Sequence, residues 1–111
     1  MNYARRALSH AEFVERVARF QELYPGGTQN SGWRSPSWNT HVGSGSNSKH
    51  LLGSPLQPIA VDIDYFDEPD ESQRLDMNHT ARILGLFGLY HNGHMHLQGL
   101  PVGPPPAGWR P

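Results

Sequence analysis

Three of the chain's seven histidines, His91, His94 and His96, fall close together near the C-terminus. His94 and His96 are two apart, so on a β-strand both rings project from one face. Two imidazoles side by side can supply a metal ligand and a proton carrier. A second set lies upstream. His50 closes a polar loop, and Asp62 and Asp64 sit inside the apolar run of Ile59, Ala60, Val61 and Ile63. A carboxylate in such a run is costly unless it is paired or bound to a metal, and strand alternation puts both acids on one face. One His, one Asp and a second His make a three-ligand site with an open position. A metal held that way would lower the pKa of water from about 16 to about 7. The plainer readings are a pair of surface histidines and an Asp62 that caps a helix or pairs with a base.

The elements that must position these residues follow from local pattern. Ser9-His10-Ala11-Glu12 has the form of a capping box, and Phe13, Val17, Phe20 and Tyr24 recur at helical spacing with Val14 beside them. A helix is expected over 9–23, with Glu12, Arg16, Arg19 and Glu22 outward, stopped by Pro25-Gly26-Gly27. Residues 28–33 suit a strand, 35–42 a short helical turn and 43–48 a flexible loop. A buried strand is expected over 58–65. The acidic stretch 67–70, with Pro69, suits the first turn of a second helix. That helix would run to about Phe87, with Leu75, His79, Ile83, Leu86 and Phe87 on one face. Asn92-Gly93 between residues 88–91 and 94–98 signals a hairpin whose turn needs positive φ. The expected architecture is α+β, a small antiparallel sheet with flanking helices and the site on the sheet. It forms a single domain over 1–111 with a proline-rich tail over about 99–111.

Composition removes several alternatives. The chain has 111 residues, enough for one modest core. Nine Lys and Arg against ten Asp and Glu leave a net charge of −1, so no basic stripe marks a nucleic-acid face. No run approaches the roughly 20 apolar residues of a membrane span. Residues 1–23 carry Glu12, Glu15 and Glu22 through their apolar part, unlike a secretory signal. There is no cysteine, which excludes a disulfide, a thiolate nucleophile and a Cys-type zinc finger. Any metal must be held by His and carboxylate. Among the remaining residues, His10 and His41 read as solvated, His79 as a packed or half-exposed core residue, and His91, across the turn from His94, as a surface residue or a hydrogen-bonding neighbour of the site. Trp33 and Trp38 read as core or groove wall, and Tyr90 as packing.

Four segments then occur in order: Gln29-Asn30-Ser31-Gly32-Trp33-Arg34-Ser35-Pro36, Asn47-Ser48-Lys49-His50-Leu51-Leu52-Gly53, Ala60-Val61-Asp62-Ile63 and Gly93-His94-Met95-His96. Together they resemble the zinc D-Ala-D-Ala carboxypeptidase-like metallopeptidases, a group with phage endolysins and muralytic peptidases that shares its fold with the hedgehog signalling domain. The family motifs are Gly-aromatic-Arg-Ser, Ser-x-His-x-x-Gly-x-Ala-x-Asp and a late His-x-His or Glu-x-x-His. The resemblance implies one Zn2+ per chain on His50, Asp62 and His96. It places His94 as the catalytic histidine beside the attacking zinc-bound water. Arg34 would bind the substrate carboxylate or polarise the scissile carbonyl, tasks its planar fork suits, and Ser48 would brace the site or hydrogen-bond the substrate. It implies D,D- or L,D-hydrolysis of peptidoglycan stem peptides by a monomer, held in the host cytoplasm before release to the wall or carried on a virion. The alternative is a zinc-stabilised binding domain of hedgehog type that has lost hydrolysis. The family His and Asp stand seven positions apart, whereas here they are twelve apart, from 50 to 62. Residues 54–58 therefore read as an insertion. It either bulges outward and leaves both ligands in place, or shifts the register so that Asp64 replaces Asp62. Leu97-Gln98-Gly99 also departs from relatives that carry an acid or Arg soon after the His-x-His.

Overall fold

The computed structural model describes residues 6–33, 35, 37, 49–54, 56–101 and 103–110. Most of the turn expected over 35–42 and the whole loop over 43–48 lie outside them, as do His41 and Trp38. Helix α1 spans His10–Leu23 and begins with the expected capping box: Ser9 Oγ accepts from the Glu12 N–H, and the Glu12 carboxylate accepts from the Ser9 N–H. Strand β1 is Gly27–Ser31. A 3-10 turn over Lys49–Leu51 leads into two short strands, β2 (Gly53–Ser54) and β3 (Gln57–Pro58), then β4 (Ala60–Tyr65). Helix α2 is Glu71–Ile83, followed by the hairpin of β5 (Phe87–His91) and β6 (His94–Gln98). The turn is as expected, with Asn92 at φ 50° and Gly93 at φ 80°. Among the described residues, no helix is long and apolar enough to cross a membrane.

The main sheet has the order β1-β4-β6-β5, and its neighbours run antiparallel. Register decides what each face carries. Val61 pairs with Leu97 and Ile63 with Met95, and these four side chains join Phe13, Val17 and Phe20 of α1 and Met77 and Ala81 of α2 in one buried core. The alternate residues point the other way: Asp62 pairs with His96, and His91 with His94. One face of the sheet therefore holds the molecule together and the other carries the chemistry. The class expected from the sequence, α+β with an antiparallel sheet, is the class observed.

Several local expectations are corrected. Helix α2 starts later and ends sooner than the pattern suggested, because Asp70 is its N-cap, sharing a capping box with Gln73, while Pro69 stays outside. Its inward residues are Met77 and Ala81, followed by Leu84, whereas Leu75, His79 and Ile83 are exposed and Phe87 belongs to β5. Arg16 of α1 is buried rather than outward and donates from Nη1 to the Leu84 carbonyl at 2.9 Å, satisfying the C-cap residue of α2. Val14, placed beside the core, is exposed. His10 is only partly exposed and donates from Nδ1 to the Pro58 carbonyl at 2.8 Å.

The segment 54–58 folds back on itself. Gly53 pairs with Pro58 and Ser54 with Gln57, so β2 and β3 form a miniature hairpin with Leu56 exposed. The chain returns close to where it left, and His50 and Asp62 stay opposed despite their wider spacing. Gly53 has φ +80°, and a Cβ there would lie 2.1 Å from the Gln57 carbonyl oxygen. Gly93 shares the positive φ but has open space around it. Gly93→Ala is expected to cost roughly 1–2 kcal/mol, the left-handed backbone penalty alone. Gly53→Ala should cost clearly more, because it adds a clash with backbone. Urea unfolding of the two variants measures the difference, and equal midpoints would contradict the close approach.

Candidate metal centre

Asp62 occupies the middle of the chemical face, on β4 between β1 and β6. Three histidines address its carboxylate. His50 Nε2 lies 3.3 Å from Oδ2, His96 Nδ1 2.9 Å from Oδ1, and His94 Nε2 3.5 Å from Oδ1. His94 and His96 reach it because they alternate on β6, one of them directly across from Asp62. His50 reaches it from the 3-10 turn, which lies over the same face. The ligand atoms of His50, Asp62 and His96 all fall within 4.8 Å of one another. Two imidazoles and one carboxylate at that separation are a donor set suited to zinc.

The other nitrogen of each ring is also committed. His50 Nδ1 donates to the Gly32 carbonyl at 2.7 Å, and His96 Nε2 meets Gln98 Oε1 at 2.7 Å. Exposure is graded across the centre. The His50 and Asp62 side chains are 3% and 5% exposed, but His94 is 25% exposed. The centre thus has a sealed floor and an open side at His94. Burial works to raise the Asp62 carboxyl, but hydrogen bonds with His50 and His96 outweigh it and hold the group well below the usual carboxylate range.

Asp64, the alternative to Asp62, stands on the same face of β4 but accepts a hydrogen bond from Asn30 of β1 and is not among the three converging ligands. Arg34 and Ser48 lie outside the described residues. Trp33 is half-buried, and its Nε1 has no hydrogen-bond partner among the described residues. Tyr90 packs against the core, as expected. His91, read as a surface residue or a neighbour of the site, is exposed and belongs to the neighbourhood of the centre. Its ring centroid is 5.1 Å from that of His94 and 6.0 Å from that of His96. Gln98 was missed as a site residue. Its only sequence signal is its position two residues beyond His96 on the same strand face.

A family model for Peptidase M15 matches residues 7–98. The match covers most of the chain, and the protein belongs to that family of zinc-dependent metallopeptidases. Comparisons with curated proteins and with solved structures return no match.

The electrostatics of His91 give a test of the cluster. Partial burial lowers its pKa, the neighbouring His94 and His96 lower it further, and Asp62 alone raises it. In metal-free protein, an NMR pH titration should place the His91 midpoint below the ordinary value of about 6.5. Asp62→Asn should move it lower still, since the one opposing charge is removed. A midpoint that rises in this variant would contradict the arrangement.

Proposed function

We propose that this chain is a zinc peptidase that hydrolyses amide bonds in peptidoglycan stem peptides next to D-amino acids. The observation that carries the reading is the convergence of His50, Asp62 and His96, in a chain whose residues 7–98 match Peptidase M15. In this reading His50 Nε2, an Asp62 oxygen and His96 Nδ1 hold one Zn2+. When bound, zinc supplies a Lewis acid that polarises a carbonyl and brings the pKa of water to about 7.

The protein's own groups do the rest. His94 stands on the open side of the centre, on the same strand face as His96. Its Nε2 takes the proton that water loses as the new C–O bond forms. It then delivers that proton to the amide nitrogen as the C–N bond breaks, so the amine leaves neutral. Arg34 would hold the substrate carboxylate or the carbonyl oxygen, and Ser48 would brace the peptide, both roles implied by the family motifs around them. The buried Asp62 and His50 keep the floor fixed while the substrate enters past His94.

The finer part of the reading is a wall-lytic role of the phage endolysin type. The enzyme would reside in the host cytoplasm until another agent releases it, or travel on a virion. Mass analysis of fragments from a defined muropeptide identifies the bond, D,D or L,D. About one zinc per chain should copurify, and a chelator should abolish peptide release. Binding of peptidoglycan without metal-dependent release would favour a hedgehog-type binding domain instead. His94→Ala should retain zinc and lose roughly 10²–10⁴-fold in kcat, the usual contribution of a general acid–base. Full turnover in that variant would remove His94 from the reaction.

A further inference from the structure

We infer that Gln98 is a positioning residue that fixes which ring nitrogen His96 presents to the metal, and that the Leu100 carbonyl sets Gln98 for this task. The inference rests on the reading of His96 as a metal ligand. Gln98 ends β6, points to the same face as His96 and is only 9% exposed. Its two amide ends are in different company: Nε2 lies 2.6 Å from the Leu100 carbonyl oxygen, and Oε1 lies 2.7 Å from His96 Nε2. A carbonyl oxygen can only accept, so the amide NH2 must face Leu100. Oε1 must then face His96, and being an acceptor itself, it requires a hydrogen on His96 Nε2. Flipping the amide would set two oxygens 2.6 Å apart at Leu100. Donor–acceptor logic therefore commits Nε2 to carrying hydrogen and leaves Nδ1, 2.9 Å from Asp62 Oδ1, as the coordinating nitrogen.

His50 is set in the opposite sense. The Gly32 carbonyl commits its Nδ1 to donating and leaves Nε2 facing Asp62. The two imidazoles thus turn different nitrogens to a common point, each held by a carbonyl or amide oxygen behind it.

The carbonyl that orients Gln98 is itself anchored. The Leu100 side chain is fully buried in the core. The Gly99 N–H donates to the Ile59 carbonyl at 2.9 Å, and the Gly99 carbonyl accepts from the Leu8 N–H at 2.8 Å. Further along the tail, Gly103 accepts from the buried Lys49 ammonium, the neighbour of His50, and Trp109 Nε1 donates to the Leu8 carbonyl at 3.0 Å. The family match ends at residue 98. The tail beyond it therefore braces both histidine-bearing segments, at Gln98 and at Lys49.

Outer hydrogen-bond partners of this kind commonly contribute 10–100-fold in metal affinity. Competition with a chelator gives the Zn2+ Kd of wild type, Gln98→Met and Gln98→Glu. Met has the length of Gln but no oxygen, so its Kd should rise 10–100-fold. Glu keeps the acceptor for His96 Nε2, so its Kd should stay within about threefold of wild type. A residue that merely filled space would be harmed more by Glu, whose carboxylate meets the Leu100 carbonyl. Wild-type-like affinity in Gln98→Met, or a Glu variant as weak as Met, would overturn the role. A measurement on wild type needs no variant to fold: long-range 1H–15N spectra of the zinc-loaded protein should show His96 metal-bound at Nδ1 and protonated at Nε2. Coordination through Nε2 would overturn the role of Gln98 alone. A His96 whose resonances ignore zinc would overturn the metal reading beneath it.

Discussion

A carboxylate buried in the middle of a sheet is the constraint around which this molecule is organised. Left alone, Asp62 would carry a desolvation cost of several kcal/mol. Three imidazoles from two separate segments meet that cost by converging on it. The same concentration of donors makes the point where they meet attractive to a divalent cation. Structure and chemistry are thus one arrangement here: removing Asp62 would leave His50, a buried ring, without the charge it faces.

Strand alternation lets a chain of this size provide both a core and a centre. Each step along β4 and β6 sends one side chain inward to the helices and the next outward to the centre, so Val61, Ile63, Met95 and Leu97 build the floor on which Asp62, His94 and His96 stand. Helices α1 and α2 pack on the apolar face. On the other face the 3-10 turn brings His50 across, and the miniature hairpin of β2 and β3 lies between His50 and Asp62 in the chain while His50 Nε2 and Asp62 Oδ2 stand 3.3 Å apart. His94, 25% exposed, stands on the remaining side.

Much of this was legible because it depends on local pattern. The capping box at Ser9 and Glu12, the Asn92-Gly93 turn and the alternation around Asp62 are each written within a few consecutive residues. Most of what escaped depends on tertiary packing. Helix α2 carries two stripes, Leu75 with Ile83 and Met77 with Ala81, about 200° apart at two residues' offset. Hydropathy favours the first, but the sheet takes the second, where the small Ala81 permits close approach. Arg16 reads as outward until the carbonyl of Leu84, far along the chain, turns out to be the acceptor its guanidinium needs. Gln98 reads as an ordinary polar strand residue because its two partners matter only once His96 and the tail are in place.

The central claim is geometric, and a metal-loaded crystal tests it most directly. Anomalous diffraction at the zinc edge should give one strong peak about 2.0–2.2 Å from His50 Nε2, an Asp62 oxygen and His96 Nδ1, the distances usual for this metal. A peak elsewhere on the protein, with that triangle of side chains uncoordinated, would contradict it.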